Sequence, residues 1–597
     1  MSIVPMIRVT LCGITRHKAA VIEGLQALGV LHIVPLREPG PLTPGDAATR
    51  RRAETAFRHI MEAPERLCPY RRAEEFRAGA VIGEIIANRQ HLRELADRRD
   101  ELEALIEGLE PWGDFTLPDA EEIGGQRLWL YALPLKVRAA LDGLTLPWAI
   151  VGRTPTERLV AVIAPDEPPV TLLPVPRTAT GTAPLSALRA QLEALEITLE
   201  KAERARAELS RWRLLLGLDL AAAQDSDDRR AVAALTLDEG EVFAIQGWAP
   251  AAAVAGLAAF AEDHGLALVT EAPGPGDTPP TLLHAQDERA AVGGDLTSFF
   301  ASPGYRSWDP SLIVFASFAV FFAMIVADAG YAALFALGTG LFWNRLGATP
   351  VRRRARVLLT GLSGAALVYG ILAGSYFGVH PPEGGLLARL RIIDTADFQK
   401  MMVVSVAIGC LHIAIALGTN AWLNRGTPQA IVSLGWIGVI LGGLLIWLGG
   451  DGLRQAGVVV LVAGLGAVFW GSGTTRPVTR PADWLLRASD GFLGVTRVTK
   501  LFGDILSYLR LFALGLASAS LAATFNDLAG QIRELHPGIG LLLAIMVLVF
   551  GHAINVAIGI MSGVVHGLRL NYIEFFGWGL TEEGYPFRAF ARRESPA

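Results

Sequence analysis

The fold of this chain is decided by two apolar stretches, FGDILSYLRLFALGLASASLA at Phe502–Ala522 and GHAINVAIGIMSGVVHGLRLNYIEFF at Gly551–Phe576. Each is long enough to cross a lipid bilayer, and each contains one arginine, Arg510 in the first and Arg569 in the second. A guanidinium inside a bilayer costs about 2.5–3.5 kcal/mol on insertion scales, so an intramembrane arginine usually faces a carboxylate or a water-filled cavity. These two residues therefore predict a membrane protein that moves ions.

Charge divides the chain into two halves. Residues 1–309 carry 32 Lys and Arg against 44 Asp and Glu, whereas residues 310–597 carry only 21 against 14. The first half is therefore predicted to be soluble and the second half to be embedded in a membrane. The three cysteines have no CxxC spacing, and the N-terminus lacks the pattern of a signal peptide, so we expect the soluble half to stay in the cytoplasm.

The soluble half has the pattern of α/β lobes connected by a helical arm. Strand–helix–strand patterns at Ile3–Leu36 and Glu241–Glu271 predict two compact βαβ units. Between them, Glu74–Leu109 and Leu185–Leu216 are rich in Ala, Leu, Glu and Arg, with leucines three or four residues apart. This spacing predicts two antiparallel helices that form an arm, and an ordinary helical core is the alternative.

Short strands near Leu128–Leu133 and Leu159–Ile163 predict part of a further lobe at the far end of the arm. The Pro- and Gly-rich segment Ala272–Pro280 predicts a flexible connection. The soluble half contains no phosphate loop, nucleophile motif or metal-ligand spacing, so we expect no cofactor and no metal site. This half is predicted to be a connector and not a catalyst.

The second half contains seven apolar runs, approximately at 311–343, 357–379, 401–423, 430–449, 456–473, 491–525 and 539–572. The first run would measure about 50 Å as a straight helix, more than the about 30 Å that a hydrocarbon core requires. The tripeptide Asp328-Ala329-Gly330 lies near its centre. A turn there would split the run into two short crossings, and a single strongly tilted helix is the alternative.

Arginines are concentrated in four segments outside these runs, at Arg345–Arg356, Arg425, Arg476–Arg487 and the C-terminal tail. A hairpin in the first run gives eight crossings and places all four basic segments on the same side as the soluble half. The positive-inside rule makes that side cytoplasmic. A single tilted helix in the first run would export the soluble half instead.

The predicted fold class is therefore two-part. Cytoplasmic α+β lobes joined by a long antiparallel helical arm precede an all-α polytopic membrane domain of about eight helices. The predicted boundaries are 1–284 for the cytoplasmic arm and lobes, 285–310 for a linker, 311–572 for a transmembrane ion-channel domain and 573–597 for a cytoplasmic tail.

Polar or small residues follow one stripe of the last apolar helix. They are spaced three or four apart and comprise His552, Asn555, Gly559, Ser562, His566 and Arg569. On the preceding helix, Asp504, Ser507 and Arg510 are spaced by three, with Tyr508 beside them. We interpret the two helices as a wet, arginine-bearing face for a partner of opposite charge, because this chain offers no evident carboxylate opposite Arg510.

Several of these residues also have a structural interpretation. His552, Asn555 and Ser562 could simply hydrogen-bond to neighbouring helices, and Asp328 could be only a turn residue. His412, alone in its apolar run, is more typical of a core histidine than of a relay. Glu574 could be an interfacial carboxylate or part of a funnel at the cytoplasmic mouth. Arg569 could snorkel to the interface, whereas Arg510 is too deep in its run to do so.

At these residues the sequence resembles the membrane stator subunit of V-type and archaeal-type rotary ATPases, called subunit a or subunit I. The most specific matches are GDILSYLRLFALGLA at Gly503–Ala517 and VHGLRLNYIEFF at Val565–Phe576. Shorter matches occur in the same order as in the family, and they comprise IVPMIRVTL near the start, GWAP, DAGY, YGILAGSYFG and MMVVSVAIGCLH.

The resemblance implies that Arg510 and Arg569 face an ion-carrying carboxylate on a rotating ring of small proteolipid subunits. It also implies partners, namely that ring, peripheral stalk subunits on the cytoplasmic arm, a central-stalk cap subunit and lipid, with no nucleic acid. ATP would be made or hydrolysed on other subunits, so this chain would not be an enzyme on its own. The implied location is a prokaryotic plasma membrane, with the N-terminal domain and the C-terminus cytoplasmic.

The chain departs from the eukaryotic pattern at two positions, since Ser518 and Gly559 occupy places where those members carry a histidine and a glutamate. His552, His566 or ordered water would then serve the ion path. The transported ion would be a proton or sodium, because the binding site on the ring decides between them. A fixed guanidinium would hold a passing carboxylate in its charged form. A self-contained secondary transporter and a purely structural membrane anchor remain as alternatives.

Overall fold

The structure is a computed structural model. It describes residues 3–38, 45–72, 76–118, 121–135, 144–169, 175–178, 183–284, 288–382, 384–394, 397–473, 481–535, 538–580 and 582–593. The chain divides into two compact units. Unit 1 comprises Met1–His17, Leu28–Leu36 and Leu237–Phe590, and unit 2 comprises Lys18–Ala27, Arg37–Thr236 and Ala591–Ala597.

The strands and the longer helices follow one another in a fixed order along the chain. The strands are β1 Met6–Ile14, β2 His32–Val34, β3 Arg127–Pro134, β4 Trp148–Arg153, β5 Glu157–Ala164, β6 Leu237–Glu239, β7 Val242–Pro250, β8 Ala267–Glu271, β9 Ser302–Pro303 and β10 Glu583–Gly584. The helices before the membrane region are α1 Lys18–Leu28, α2 Gly45–Met61, α3 Ala78–Leu109, α4 Leu185–Leu209, α5 Arg213–Leu235, α6 Val254–Asp263 and α7 Glu288–Phe300.

The apolar half is helical throughout most of its described length. Its longer helices are α8 Ser311–Val326, α9 Ala329–Leu341, α10 Pro350–Ala373, α11 Phe398–Leu423, α12 Pro428–Leu448, α13 Asp451–Gly473, α14 Pro481–Thr496, α15 Val498–Leu506, α16 Leu509–Leu535 and α17 Gly540–Arg569. A π-helical turn, Leu570–Phe575, and a short α-helix, Phe576–Gly579, continue α17.

Unit 1 begins with an antiparallel sheet in the order β2-β7-β1-β8, with β6 on β7. Alternate residues of β1 and β7, including Val9, Leu11, Phe243 and Ile245, are fully or almost fully buried and give the sheet one apolar face. The two strand–helix–strand patterns predicted from the sequence exist, but they are not separate units. Strand β7 lies between β1 and β2, so the patterns interleave in one split βαβ sheet.

Unit 2 contains the predicted arm, in which α3 packs against α4. Leu102 and Leu109 share an apolar cluster with Leu185 and Leu188, whereas Asn88 near the start of α3 donates to the carbonyl of Ala202 near the end of α4 at 3.0 Å. The two helices are therefore antiparallel, as predicted. A three-stranded sheet, β3-β5-β4, also belongs to this unit, and β4 was not predicted.

The arm differs from the prediction at the end of its second helix. Helix α4 ends at Leu209, a 3₁₀ turn covers Ser210–Trp212, and α5 then continues to Leu235, so the predicted helix Leu185–Leu216 is two helices. Leu216 and Leu220 of α5 are buried in a cluster with residues of α2 and α3. Helix α5 therefore packs with α2 and α3 at the end of the arm where α4 ends.

Six helical spans in the described residues are long and apolar enough to cross a membrane, and α8 and α9 are shorter apolar helices. The rings of Phe322 on α8 and Phe335 on α9 lie 6.5 Å apart. Because these residues are on opposite sides of the break at Ala327 and Asp328, the chain must reverse there, and the first run is a hairpin. The protein is accordingly an integral membrane protein with an all-α membrane region.

The start and the end of the membrane region lie side by side. Strand β9, just before α8, pairs with β10, just after the last helix, and the indole of Trp308 donates to the carbonyl of Gly579 at 3.0 Å. Both ends of the bundle are therefore on the same side, which requires an even number of crossings. We call this side the near side and the opposite side, which holds the loop after α10, the far side.

Two predicted boundaries differ from the structure. The segment 285–310 was predicted to be a linker, yet α7 occupies half of it and packs against α8 and α10. Its Arg354–Asp295 ion pair with α10 measures 2.9 Å. The tail was predicted to start at residue 573, yet Phe575, Phe576 and Trp578 are buried in the bundle. Residues 285–287, 474–480 and 594–597, which include part of the predicted basic loop at Arg476–Arg487, lie outside the described residues.

Candidate functional site

A stripe of small residues lets α17 approach its neighbours closely. Gly551, Gly563 and Gly567 are buried along one face of α17, together with Asn555 and Gly559. A Cβ at Gly563 would lie 2.6 Å from the ring of Phe322 on α8, and a Cβ at Gly551 would lie 2.3 Å from the ring of Phe525 on α16. The stripe therefore determines how α8 and α16 pack on α17. Of these glycines, only Gly559 stood out from the sequence alone.

Both arginines lie next to irregular helix geometry. Helix α15 ends at Leu506, and Ser507 and Tyr508 separate it from α16, in which Arg510 is the second residue. Arg569 is the last residue of α17, directly before the π-helical turn Leu570–Phe575. A π-helical turn widens the helix and often occurs at a functional site. Here the turn places Glu574 in the protein interior, where its side chain is 1% exposed.

Arg510, Arg569, Glu574 and His566 lie within electrostatic range of one another. Within the described part of the chain, neither arginine has an ion pair with an N–O distance of 4.0 Å or less. Nη1 of Arg510, Oε2 of Glu574 and Nδ1 of His566 are buried and have no hydrogen-bond partner there. Buried polar groups are normally paired, so these atoms must bind water or a group outside the described residues.

This geometry corrects two expectations from the sequence. Glu574 is not an interfacial carboxylate, because its side chain is buried. The chain also does contain a carboxylate near Arg510, since Glu574 lies in its electrostatic range, although no close ion pair forms. The three-dimensional position of Glu574 depends on the π-helical turn, which the sequence did not reveal.

Tyr508 and His412 form a buried pair beside this cluster. The phenolic oxygen of Tyr508 lies 2.8 Å from Nδ1 of His412, and the His412 ring stacks on Phe575 with a centroid distance of 4.2 Å. Gly409 makes room for the Tyr508 ring, because a Cβ there would lie 2.6 Å from it. Nε2 of His412 is buried without a partner in the described residues. Only one of the two ring nitrogens of His412, which was predicted to be a core histidine, therefore has a hydrogen-bond partner among the described residues.

Asp328 is the turn residue of the hairpin and is 4% exposed. Its Oδ1 accepts from the backbone N–H groups of Tyr331 at 3.0 Å and Phe377 at 2.9 Å. Its Oδ2 accepts from the Ser375 hydroxyl at 2.7 Å and from the Gly378 N–H at 2.9 Å. All of its lone pairs are used to join the hairpin to the loop after α10, which favours a structural role.

A chain of hydrogen bonds connects His552 and Asn555 to other helices. His552 lies between Tyr331 of α9 and Asn526 of α16, and Asn555 lies between Tyr331 and Ser518. Ser562 takes no part in it. Tyr331 and Asn526 were not predicted as site residues, and only the DAGY match drew attention to Tyr331. Tyr331 and His552 are 221 positions apart, so no local pattern could link them.

Helices α16 and α17 each leave one face uncovered. On α16 the exposed residues include Ala513, Ala517 and Thr524, and on α17 they include Ala557 and Arg569. Only 17% of the most apolar window of the α17 span is buried within the chain. An apolar face suits lipid, but an arginine on such a face does not. A polar or negatively charged group at the level of Arg569 would offset the cost of that charge.

The described residues also contain an apolar cavity of about 490 Å³ between α11, α12 and α15. Its lining includes Val406, Ile440 and Leu506, together with other apolar side chains, and no charged residue. Such a lining offers nothing to carry an ion. Among all the residues that the structure describes, no group of three or more His, Cys, Asp or Glu side chains could bind a metal ion.

Comparison with known proteins identified relatives of one kind. The chain is 27% identical over 423 residues to V-type ATP synthase subunit I of Chlamydia pneumoniae, covering 59% of this chain and 61% of that protein. It is 27% identical to V-type ATP synthase subunit I 1 of Treponema pallidum, covering 99% of this chain and 100% of that protein. It is 28% identical to A-type ATP synthase subunit I of Methanocaldococcus jannaschii, covering 50% of this chain and 47% of that protein.

The chain thus spans about three fifths of the Chlamydia pneumoniae relative and about half of the Methanocaldococcus jannaschii relative. No family model matches it. A crystal structure of the cytoplasmic N-terminal domain of subunit I, homolog of subunit a, of V-ATPase covers 44% of this chain at 18% identity, with a TM-score of 0.23, and this low score supports no conclusion. The sequence matches confirm the predicted resemblance: this chain is a relative of subunit I of the V-type and A-type ATP synthases.

Proposed function

We propose that this chain is the membrane stator subunit of a rotary V/A-type ATPase. It forms the two ion half-channels against a rotating ring of proteolipid subunits and couples ion translocation to ATP hydrolysis or synthesis on other subunits. Its cytoplasmic arm holds the peripheral stalks, and it also contacts the central-stalk cap subunit. The near side faces the cytoplasm of a prokaryotic cell.

The observation that carries this proposal is the pair of arginines at an uncovered apolar surface. Arg569 is exposed on α17, and Arg510 has a buried Nη1 without a partner in the described chain. Two unpaired guanidinium groups in a bilayer are costly, and a carboxylate supplied by another subunit would remove that cost. Such a carboxylate would become ionised as it passes, because a nearby fixed positive charge lowers a carboxyl pKa.

The outer surfaces of α16 and α17 also suit a moving partner. Small side chains such as Ala513, Ala517 and Ala557 are exposed there, and small residues permit close approach of another helix. Larger apolar side chains such as Met561 and Val565 are exposed beside them. The ring would pass over this surface while Arg510 and Arg569 block direct leakage between the half-channels.

The remaining polar residues divide between the two half-channels. On the near side, Ser507, Tyr508, His412, His566 and Glu574 surround the unpaired atoms of the arginine cluster, and ordered water joins them to the ring. On the far side, the residues that lead away from the arginines are His552, Asn555 and Ser562. Asp328 holds the hairpin in place and does not carry the ion.

The test is ATP-driven ion uptake by vesicles that contain the assembled complex. We expect Arg510→Ala to abolish uptake while the complex still assembles and co-purifies with its ring and stalk subunits. Arg533→Ala is the matched control, because Arg533 lies exposed near the far end of the same helix, and it should pump normally. Normal pumping by Arg510→Ala would refute the proposal.

A self-contained secondary transporter is the alternative function. Under that alternative the purified chain alone would transport ions in liposomes, with Glu574 as its internal carboxylate. We expect no transport without the ring, because the stator holds neither the moving carboxylate nor the ATP-driven rotor. Transport by the isolated chain that depends on Glu574 would replace the stator assignment.

A further inference from the structure

Asn526, His552, Tyr331, Asn555 and Ser518 are joined by hydrogen bonds that we call the far-side chain. The bonds around His552 determine where each hydrogen in it lies. Asn526 donates its Nδ2 hydrogen to the carbonyl of Phe377 at 2.8 Å, which orients the amide so that its Oδ1 faces His552. Oδ1 can only accept, and it lies 3.1 Å from Nε2 of His552. Nε2 therefore carries the imidazole hydrogen in the neutral ring, and Nδ1 carries the lone pair.

The same reasoning continues toward the arginines. Nδ1 of His552 must accept from the Tyr331 hydroxyl, whose oxygen lies 2.6 Å away. The Tyr331 oxygen then accepts from Nδ2 of Asn555 at 3.0 Å. The Ser518 hydroxyl donates to Oδ1 of Asn555 at 3.2 Å. The other hydrogen of Asn555 Nδ2 is donated back to the Ser518 carbonyl at 2.9 Å, whereas the Ser518, Tyr331 and His552 donors point toward the far-side loop.

The far-side chain is long enough to cross the outer part of the membrane. Asn526 and Ser518 are eight residues apart on α16, and so are Ser518 and Arg510, which is about 12 Å in each case at 1.5 Å per residue. The hydrogen bonds of the far-side chain therefore cover the far half of the distance along α16 from Asn526 to Arg510. His552 and Asn526 are half-buried, so water can reach the outer end, whereas Asn555 is 1% exposed at the inner end.

We propose that His552 and Tyr331 form a proton relay that is the far-side half-channel of this chain, so the transported ion is a proton. This inference rests on the proposed function and specifies its ion and its path. In an outward step, the Tyr331 hydroxyl gives its proton to Nδ1 of His552 and takes one from water on the Ser518 side. The imidazolium then releases its Nε2 proton to water on the Asn526 side. Both side chains are neutral before and after, and the imidazole, left with its hydrogen on Nδ1, must re-form the Nε2–H tautomer before the next proton passes.

The relay does not suit a sodium ion. A hard cation needs several oxygen ligands around it, but the narrowest part of the path presents an imidazole nitrogen and a phenol hydrogen-bonded at 2.6 Å. Asp328, the carboxylate that caps the same helix as Tyr331, is saturated by four donors. Protons need only continuous hydrogen bonds, and these are present from Phe377 to Ser518.

The experiment compares ATP-driven proton pumping with ATP hydrolysis in vesicles that contain the whole complex. We expect His552→Gln to lower the ATP-driven proton-pumping rate at least about tenfold, and ATP hydrolysis to slow with it because the two are coupled. A positioned acid–base group contributes about 10²–10⁴-fold, so a tenfold loss is a lower bound. Glutamine retains a donor and an acceptor, so the complex should assemble. His380→Gln is the matched control, because His380 lies in the far-side loop with Nδ1 bonded to the Gly374 carbonyl, outside the relay.

Tyr331→Phe is the second variant, and it removes one oxygen atom without changing the shape of the ring. It should lower pumping as well, and pumping by both variants should show a larger solvent deuterium isotope effect than the unmodified complex, because proton transfer becomes rate-limiting. A merely structural defect would lower the yield of active complex without changing the isotope effect, and that result would overturn the relay.

Two further results would overturn the inference. The first is normal pumping by both variants, and the second is sodium uptake that persists with a protonophore. Arg510→Ala in the same assay separates this inference from the proposed function. If the arginine variant fails and the relay variants pump normally, only the relay is wrong. If the arginine variant also pumps normally, the stator assignment itself is wrong.

Discussion

The clearest stability prediction concerns Asp328, the buried turn residue of the first membrane hairpin. Its four hydrogen-bond donors come from the hairpin itself and from the loop at Ser375–Gly378. In that loop Phe377 and Gly378 have φ values of 53° and 74°, so both adopt the left-handed conformation. This conformation turns their N–H groups toward the carboxylate, and it is uncommon for a bulky residue such as phenylalanine.

The expected cost follows from counting donors. Asparagine at position 328 keeps one oxygen, which satisfies two of the four donors, and the Ser375 hydroxyl can rotate to accept from the new amide. The Gly378 N–H is then left unpaired, and the remaining bonds lose their charge. An unpaired buried donor costs about 1–3 kcal/mol and a bond to a charged group contributes about 1.5–3 kcal/mol, so Asp328→Asn should destabilise the fold by about 2–4 kcal/mol.

Asp328→Ala leaves all four donors without their acceptor and should cost about twice as much as Asp328→Asn. The measurement is reversible unfolding of the purified chain in mixed micelles, with increasing amounts of denaturing detergent. Asp527→Asn is the control, because Asp527 is an exposed carboxylate of α16, and it should change the unfolding free energy by less than about 0.5 kcal/mol. Equal stability of Asp328→Asn and the unmodified chain would show that the four bonds do not hold the hairpin.

Two other predictions concern packing and pH. Gly563→Ala should destabilise the fold by about 1–3 kcal/mol, because the new Cβ would overlap the ring of Phe322. Gly559→Ala is the control: its Cβ would meet no atom within 4 Å, so it should be neutral or stabilising in the same unfolding assay. Equal effects of the two substitutions would contradict the packing described for α17. Burial lowers the pKa of His59 from 6.5, despite its hydrogen bond to Asn88. The protonated form of His59 is thus disfavoured in the folded arm. The stability of the arm should therefore be full above about pH 6.5 and fall as the pH drops. Hydrogen exchange of α2 and α3 would measure this loss of stability, and His59→Gln should make the loss smaller.

The sequence was sufficient for features that depend on composition and local periodicity. Apolar run length identified the membrane region, and the excessive length of the run 311–343 together with Asp328 predicted the hairpin that the structure contains. The leucine spacing predicted the antiparallel pair α3 and α4. The spacing of three and four in α17 placed His552 and Asn555 on one stripe, and both belong to the far-side chain.

Features that join distant segments were not predictable in this way. Nothing in β1, β2 or β7 showed that β7 lies between the other two, because an antiparallel sheet accepts several strand orders with the same alternation of residues. The break at Ser210–Trp212 was missed for a related reason, since the leucine pattern continues through it and only the tertiary structure shows the 3₁₀ turn.

The sequence by itself thus determined that this chain has a soluble arm, a membrane region and two arginines in apolar helices, since each of these properties is a property of consecutive residues. Only the tertiary structure decided what surrounds those arginines. The π-helical turn buries Glu574 near Arg510, and the packing of α8 against α16 and α17 brings Tyr331, just after the hairpin turn, to His552. Both outcomes depend on helix rotation and on contacts between residues far apart in the chain, and a single sequence does not encode these in any local pattern.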